Sequence, residues 1–166
     1  MTPTVTAPWL SDAAIGIAQR ILYSHQVMFG SALIAPLPAD STPLQRAQAL
    51  FASDRVVMAH DGTDPGGAPG PRLIYANRAG LRLWERPWTE MIGMPSRLTA
   101  EPQERAGRAR MLATARQQRA CEGYSGVRIS RSGRRFQIAN ARLWTLRGPD
   151  EQSGGQAATF SNWWWL

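Results

Sequence analysis

One stretch, Gly123 to Trp144 (GYSGVRISRSGRRFQIANARLW), constrains the fold more than any other part of the chain. Ser132-Gly133 is a turn dipeptide between two runs that alternate apolar with polar residues, the pattern of a two-residue β-hairpin whose central positions need positive φ. Folding about it places Arg131 opposite Arg134, Ile129 opposite Phe136 and Val127 opposite Ile138, with the four apolar residues on one face. Arg128 with Gln137 and Ser130 with Arg135 take the other face, so turn chemistry and period predict the same register. Past Ile138 the core face continues through Asn140, Arg142, Trp144 and Leu146, which puts two polar side chains at inward positions.

Upstream, Ser11 is an N-cap for a helix to about Phe29, with Gly30 past its end. Ile15, Ala18, Ile21, Leu22, His25 and Phe29 share one side of it, so His25 reads as a hydrogen-bonded packing residue. A proline-containing connector leads to Thr42-Pro43, the N-cap and first position of a second helix whose packing face is Leu44, Ala47, Leu50 and Phe51. Two strands follow, Arg55 to His60 and Arg72 to Ala76, separated by the loop DGTDPGGAPGP. That loop lacks the lysine and the following helix of a phosphate-binding loop.

Asn77 caps the next helix, which Pro87 ends, and Trp88 to Gly93 forms a short helical turn. Thr99 is the expected N-cap of a long helix that carries Pro102 in its first turn and runs to about Ala120. Arg105, Arg108, Arg116 and Arg119 gather around Leu112 on this helix. The stripe reads as a solvated face whose stems shield apolar neighbours, with contact to an acidic partner as the alternative. A polar loop, Gly148 to Gly155, then joins the hairpin to a last strand, Gln156 to Phe160.

Helices and strands segregated in this way indicate an α+β fold with an antiparallel sheet: five strands, helices inserted between the second and third, and two helices in front. The chain of 166 residues divides into a helical extension, 1–54, packing on a core, 55–166. A single cysteine, Cys121, excludes an internal disulfide, and His25 and His60 are too far apart in sequence to suggest a metal site. No apolar run approaches the roughly 18 residues of a membrane span, and no leader pattern is visible, so a cytoplasmic protein is expected. The net charge of +7 rests on 19 arginines and no lysine, scattered from Arg20 to Arg147. Without a basic block or tail, nucleic acid is not the expected partner.

The order of elements resembles the PAS fold, a sensory and interaction module. More narrowly, RLIYANRAGLRLWE, PWTEMIGMPSRLTAEPQERAGRARML, the hairpin stretch and GQAATFSNW resemble the MEKHLA domain family, of the stand-alone bacterial type, over roughly Ser11 to Trp163. The resemblance implies a PAS-like core that can enclose a cofactor between sheet and inserted helices, and it implies no enzymatic activity. Flavin photosensors of that superfamily form an adduct through a cysteine at a motif similar to GMPSRLTAEP. Ser96 stands at that position here, and a hydroxyl cannot supply the thiol nucleophile. Arg97 falls where those sensors place a phosphate-binding arginine, the alternative being a structural salt bridge or cap. Haem held by an axial histidine on an inserted helix is not expected, because no histidine follows Asp61.

Asn77, Trp84, Ser96, Arg97, Asn140, Arg142 and Trp144 are the candidate cofactor-binding residues, with Trp84 and Trp144 as aromatic walls. Strand twist or a bulge that carries Asn140 and Arg142 to the sheet margin is the alternative for that pair. Three successive tryptophans, Trp163 to Trp165, are not expected all to face one core, so at least one should be exposed or meet a partner; burial of one under the amino-terminal helices is the structural role, and a homodimer contact the functional alternative. No catalytic set can be assembled. Two functions stay open: a module that senses a small-molecule ligand, or a ligand-free module that homodimerises.

Overall fold

The computed structural model describes residues 7–62, 70–149 and 153–166. Residues 63–69 of the glycine-rich loop and 150–152 of the last loop lie outside the described residues. Helices α1 (Asp12–Phe29) and α2 (Pro43–Ala52) precede strands β1 (Val56–His60) and β2 (Leu73–Ala76). Helices α3 (Arg78–Trp84), α4 (Trp88–Met91) and α5 (Pro102–Gln118) come next, then strands β3 (Ala120–Ile129), β4 (Arg135–Arg147), β5 (Ser153–Phe160) and β6 (Asn162–Trp165). The strands form one antiparallel sheet in the order β2-β1-β5-β4-β3, with β6 also paired to β4. Only Ser161 separates β5 from β6, and both lie along the same edge of β4, so β6 extends the fifth strand. The α+β layout expected from the element order is therefore the one formed.

Local chemistry sets most helix ends. The Ser11 hydroxyl accepts from the Ala14 N–H, and Gly30 closes α1 with a left-handed φ of 68°. Thr42 and Gln45 cap α2 reciprocally. At α5 the expectation fails: Glu101, not Thr99, is the N-cap, and Thr99 instead ends a 3-10 turn with its hydroxyl donating to the Ser96 carbonyl. A cap at Thr99 would put Pro102 at the third helical position, where an N–H is needed. Capping at Glu101 puts it at the first, where none is.

The sheet separates two cores. On one face α1 and α2 cover Val57, Tyr75, Trp144 and Leu146. Ser24 of α1 accepts a 2.8 Å hydrogen bond from the Trp144 indole N–H, and His25 is buried as a packing residue, its Nδ1 3.0 Å from the Ser31 carbonyl. On the other face α3 and α5 cover Met58, Leu73, Phe136, Ile138 and Leu143.

The hairpin forms one residue away from the predicted register. Ser130 donates its N–H to the Arg134 carbonyl, and Arg131, Ser132 and Gly133 make a three-residue loop. Gly133, at φ 86°, takes the left-handed position of a bulged turn. The pairs are consequently Ile129 with Arg135, Arg128 with Phe136 and Gly126 with Ile138. A one-residue slip reverses every side chain: Arg128 and Ser130 are buried, while Val127 and Ile129 are only half-buried on the opposite face.

A second irregularity lies at Asn140, whose φ of 55° coincides with a shift in pairing between Tyr124 and Gly126. The bulge resets the alternation of β4. Ile138, Ala141 and Leu143 face the α3–α5 side, and Trp144 and Leu146 face α1. The tryptophan tail meets expectation in leaving one ring exposed and departs from it in where the others pack. Trp163 and Trp165 do not reach the amino-terminal helices; they stack edge-on against Phe136, with ring centroids at 6.1 and 5.7 Å. Strand alternation turns Trp164 outward, 51% exposed.

Candidate ligand-binding site

A cavity of about 70 Å³ lies between the sheet and helices α3 and α5. Its apolar walls include Met58, Leu73, Trp84, Leu112, Ile138 and Phe160. Among these open six polar side chains, His60, Thr99, Arg108, Tyr124, Arg128 and Gln156, and no carboxylate among the described residues.

His60 ends β1 and is 5% exposed. Its Nδ1 accepts the Gly62 N–H at 3.0 Å, so the neutral ring carries its proton on Nε2. Nε2 is buried and makes no hydrogen bond. Burial, and after it the charge of Arg108, pushes the His60 pKa down to about 4; the Asp61 carboxylate and, after it, the neighbouring Gln156 amide pull the other way, the amide without hydrogen-bonding geometry to Nε2. Gln156 donates instead to the Leu112 carbonyl at 2.9 Å, tying β5 to α5.

Arg128 reaches the cavity because of the hairpin register. It is 6% exposed, donating from Nη1 to the Val127 carbonyl at 2.8 Å and from Nη2 to the Tyr124 hydroxyl at 2.7 Å. Gly126 leaves room for this arrangement, since a Cβ there would sit 2.7 Å from the Tyr124 hydroxyl and 3.0 Å from Arg128 Nη1. Arg108 enters from α5. Burial first and Arg128 second lower its pKa to about 9. The ion pairs among the described residues lie elsewhere, at Arg86–Glu90, Arg131–Glu90, Arg135–Glu101 and Arg142–Glu122. Two guanidiniums thus face one cavity without a carboxylate between them.

The residues singled out from the sequence do not converge. Trp84 lines the cavity, its indole N–H donating to the Thr99 carbonyl at 3.3 Å. Asn77 is buried but engaged: Oδ1 accepts from the Val57 and Gly80 N–H groups, and Nδ2 donates to the Arg55 carbonyl at 2.6 Å. Ser96 is buried outside the cavity walls, its hydroxyl unpartnered, and Arg97 is exposed. Asn140 is exposed at its bulge. Arg142 and Trp144 belong to the α1 face, where Arg142 meets His25 Nε2 at 3.2 Å and Glu122 at 3.3 Å. Of the polar groups that do converge, His60, Arg108, Tyr124 and Arg128, only Arg128 had a local signal, a glycine at the third position of the hairpin loop. That pattern turns Arg128 inward.

Among the described residues no helix is long and apolar enough to cross a membrane, and no group of three His, Cys, Asp or Glu converges as a metal site. A five-stranded antiparallel sheet with helices inserted after its second strand, closed over a cavity, defines a PAS-like fold. Solved structures agree in fold. The PAS domain of a protein from Colwellia psychrerythraea is 17% identical with a TM-score of 0.56, covering 69% of this chain and 92% of that one. A light-oxygen-voltage domain studied with a flavin analogue is 13% identical with a TM-score of 0.54, covering 72% and 83%. An RNA-binding light-oxygen-voltage receptor is 18% identical with a TM-score of 0.56, covering 78% of this chain and 36% of the receptor. The family model of the MEKHLA domain matches residues 15–165, and the chain belongs to that family. No curated protein sequence matches it.

The light-oxygen-voltage likeness raises flavin as a test of fit. Pockets for drug-sized ligands span roughly 300–1,000 Å³, several times the 70 Å³ here. Ser96 also offers no thiol, so the residues of this chain do not fit flavin photochemistry.

Proposed function

We propose that the chain is a sensory or regulatory module that binds a small molecule in the cavity between the sheet and α3–α5. The observation that carries the reading is the buried Nε2–H of His60, a donor without a partner, on a residue that lines a cavity together with Arg108. Buried polar groups are nearly always satisfied, so a cavity keeping one unsatisfied is matched to something that enters it. The ligand is then a group of a few heavy atoms, wrapped by apolar walls and oriented by those donors.

The test is recovery of the molecule. Protein purified from its native host, denatured and analysed by mass spectrometry, should release a small molecule in near-stoichiometric amount. Ala141→Val, which adds two methyl groups to the cavity wall, should fold and release none. Equal recovery from both proteins would place the molecule elsewhere and end this reading.

Homodimerisation is the second reading, and Trp164 carries it as the exposed indole of β6. Truncation before Trp163 would strip Phe136 of its cover, so light scattering of Trp164→Ala is the cleaner test. A change from dimer to monomer supports the reading, and a wild-type monomer excludes it.

A further inference from the structure

We propose that the ligand is a small carboxylate, its two oxygens taken by Arg108, Arg128 and His60 and its short hydrocarbon tail lying against Leu112, Ile138 and Phe160. The inference rests on the cavity being a ligand site and adds the sign and shape of what enters it. The polar lining supplies donors from three sides: the guanidinium of Arg108 on α5, that of Arg128 on β3, and the Nε2–H of His60 on β1. Tyr124 Oη already accepts from Arg128, which leaves its own O–H to donate.

Charge supports the same conclusion. Two guanidiniums line one cavity among apolar walls, Arg128 raising the cost of the Arg108 charge, and no carboxylate of the described chain compensates them at the cavity. An anion between them would turn that repulsion into two attractions. A carboxylate matches the planar fork of a guanidinium bidentately, which a point-like anion does not. Size then limits the tail. An apolar cavity of about 150 Å³ holds benzene, and half that volume suits an acid of roughly two to four carbons. A bare inorganic oxyanion would leave the apolar walls unfilled.

The arrangement also provides a signal. Helix α5 buries only Leu112 and Ala115 among its 17 residues, so its apolar hold on the sheet is slight. A carboxylate bridging Arg108 to Arg128 would clamp α5 against β3.

Calorimetric titration with sodium butyrate, butyramide and sodium sulfate, at matched ionic strength, tests the inference. Butyrate should bind at least tenfold more tightly than the isosteric neutral amide or sulfate. Arg108→Gln should lower butyrate affinity about tenfold or more, Arg108→Lys should recover part of it, and the exposed Arg116→Gln should leave it unchanged. Arg108→Gln removes a half-buried charge with no carboxylate beside it at the cavity, so its thermal midpoint without ligand should equal or exceed that of the wild type. A clearly lower midpoint would make Arg108 a structural residue and overturn the proposal. Butyramide binding as well as butyrate, with both lost in Ala141→Val, would overturn the anion and keep the pocket. Sulfate binding as tightly as butyrate would overturn the tail. Silence toward all three, with no molecule recovered from native protein, would overturn the pocket as well.

Discussion

Acidification should unfold this protein through His60 before its carboxylates titrate. In the folded chain the ring is buried and neutral with a pKa of about 4, against an ordinary value of 6.5. Because the folded pKa lies below the unfolded one, the unfolded chain binds the extra proton between those values. Stability is therefore fully present above pH 6.5 and falls as pH drops towards 4. The whole difference corresponds to about 3 kcal/mol, of which about 2 kcal/mol is gone by pH 5. His25 adds to the same trend, since burial lowers its pKa too. Urea unfolding followed by tryptophan fluorescence at pH 7.5, 6 and 5 measures the effect, and His60→Gln and His25→Gln apportion it. His60→Gln should flatten most of the decline between pH 6.5 and 5. An equally steep decline in that variant would refute the buried, neutral imidazole on which the site is built.

Three further substitutions test the fold that positions the site. Ser24→Ala removes the acceptor of the Trp144 indole inside the α1 core and should cost about 1–3 kcal/mol in urea unfolding, leaving butyrate affinity unchanged. Trp163→Ala uncovers Phe136 and should cost about 2 kcal/mol, whereas the outward Trp164→Ala should stay within about 0.5 kcal/mol. Asn140→Gly should be close to neutral and Asn140→Val should cost about 1–2 kcal/mol, because only the first accepts a φ of 55° without strain.

Much of the architecture was legible because local chemistry dictated it. Ser11 with Gly30, Thr42-Pro43 and Asn77 marked helix ends at the residues where the chain places them, and the order of helices and strands left little choice but a segregated α+β fold. The site was not legible, because it depends on the parity of two strands. Reading Ser132-Gly133 as a two-residue turn, when Arg131 joins it in a three-residue loop, exchanged Arg128 for Val127 on the core face. The bulge at Asn140 then carried Arg142 and Trp144 to the α1 side, although unbroken alternation from Phe136 would have left them facing the cavity. Arg108 was visible as one member of an arginine stripe, and only the packing of α5 against β3 separates it from the exposed Arg116 and Arg119. The tryptophan tail was read as a terminus because nothing local shows that Ser161 interrupts one long strand rather than ending it.

The most direct measurement is amide hydrogen exchange in saturating sodium butyrate against the same concentration of sodium chloride. Bound carboxylate in the cavity should slow exchange in α5 around Arg108 and in β3 from Tyr124 to Ile129, and leave α1 unchanged. Protection confined to α1, or no change at either element, would contradict a ligand held between the sheet and α5.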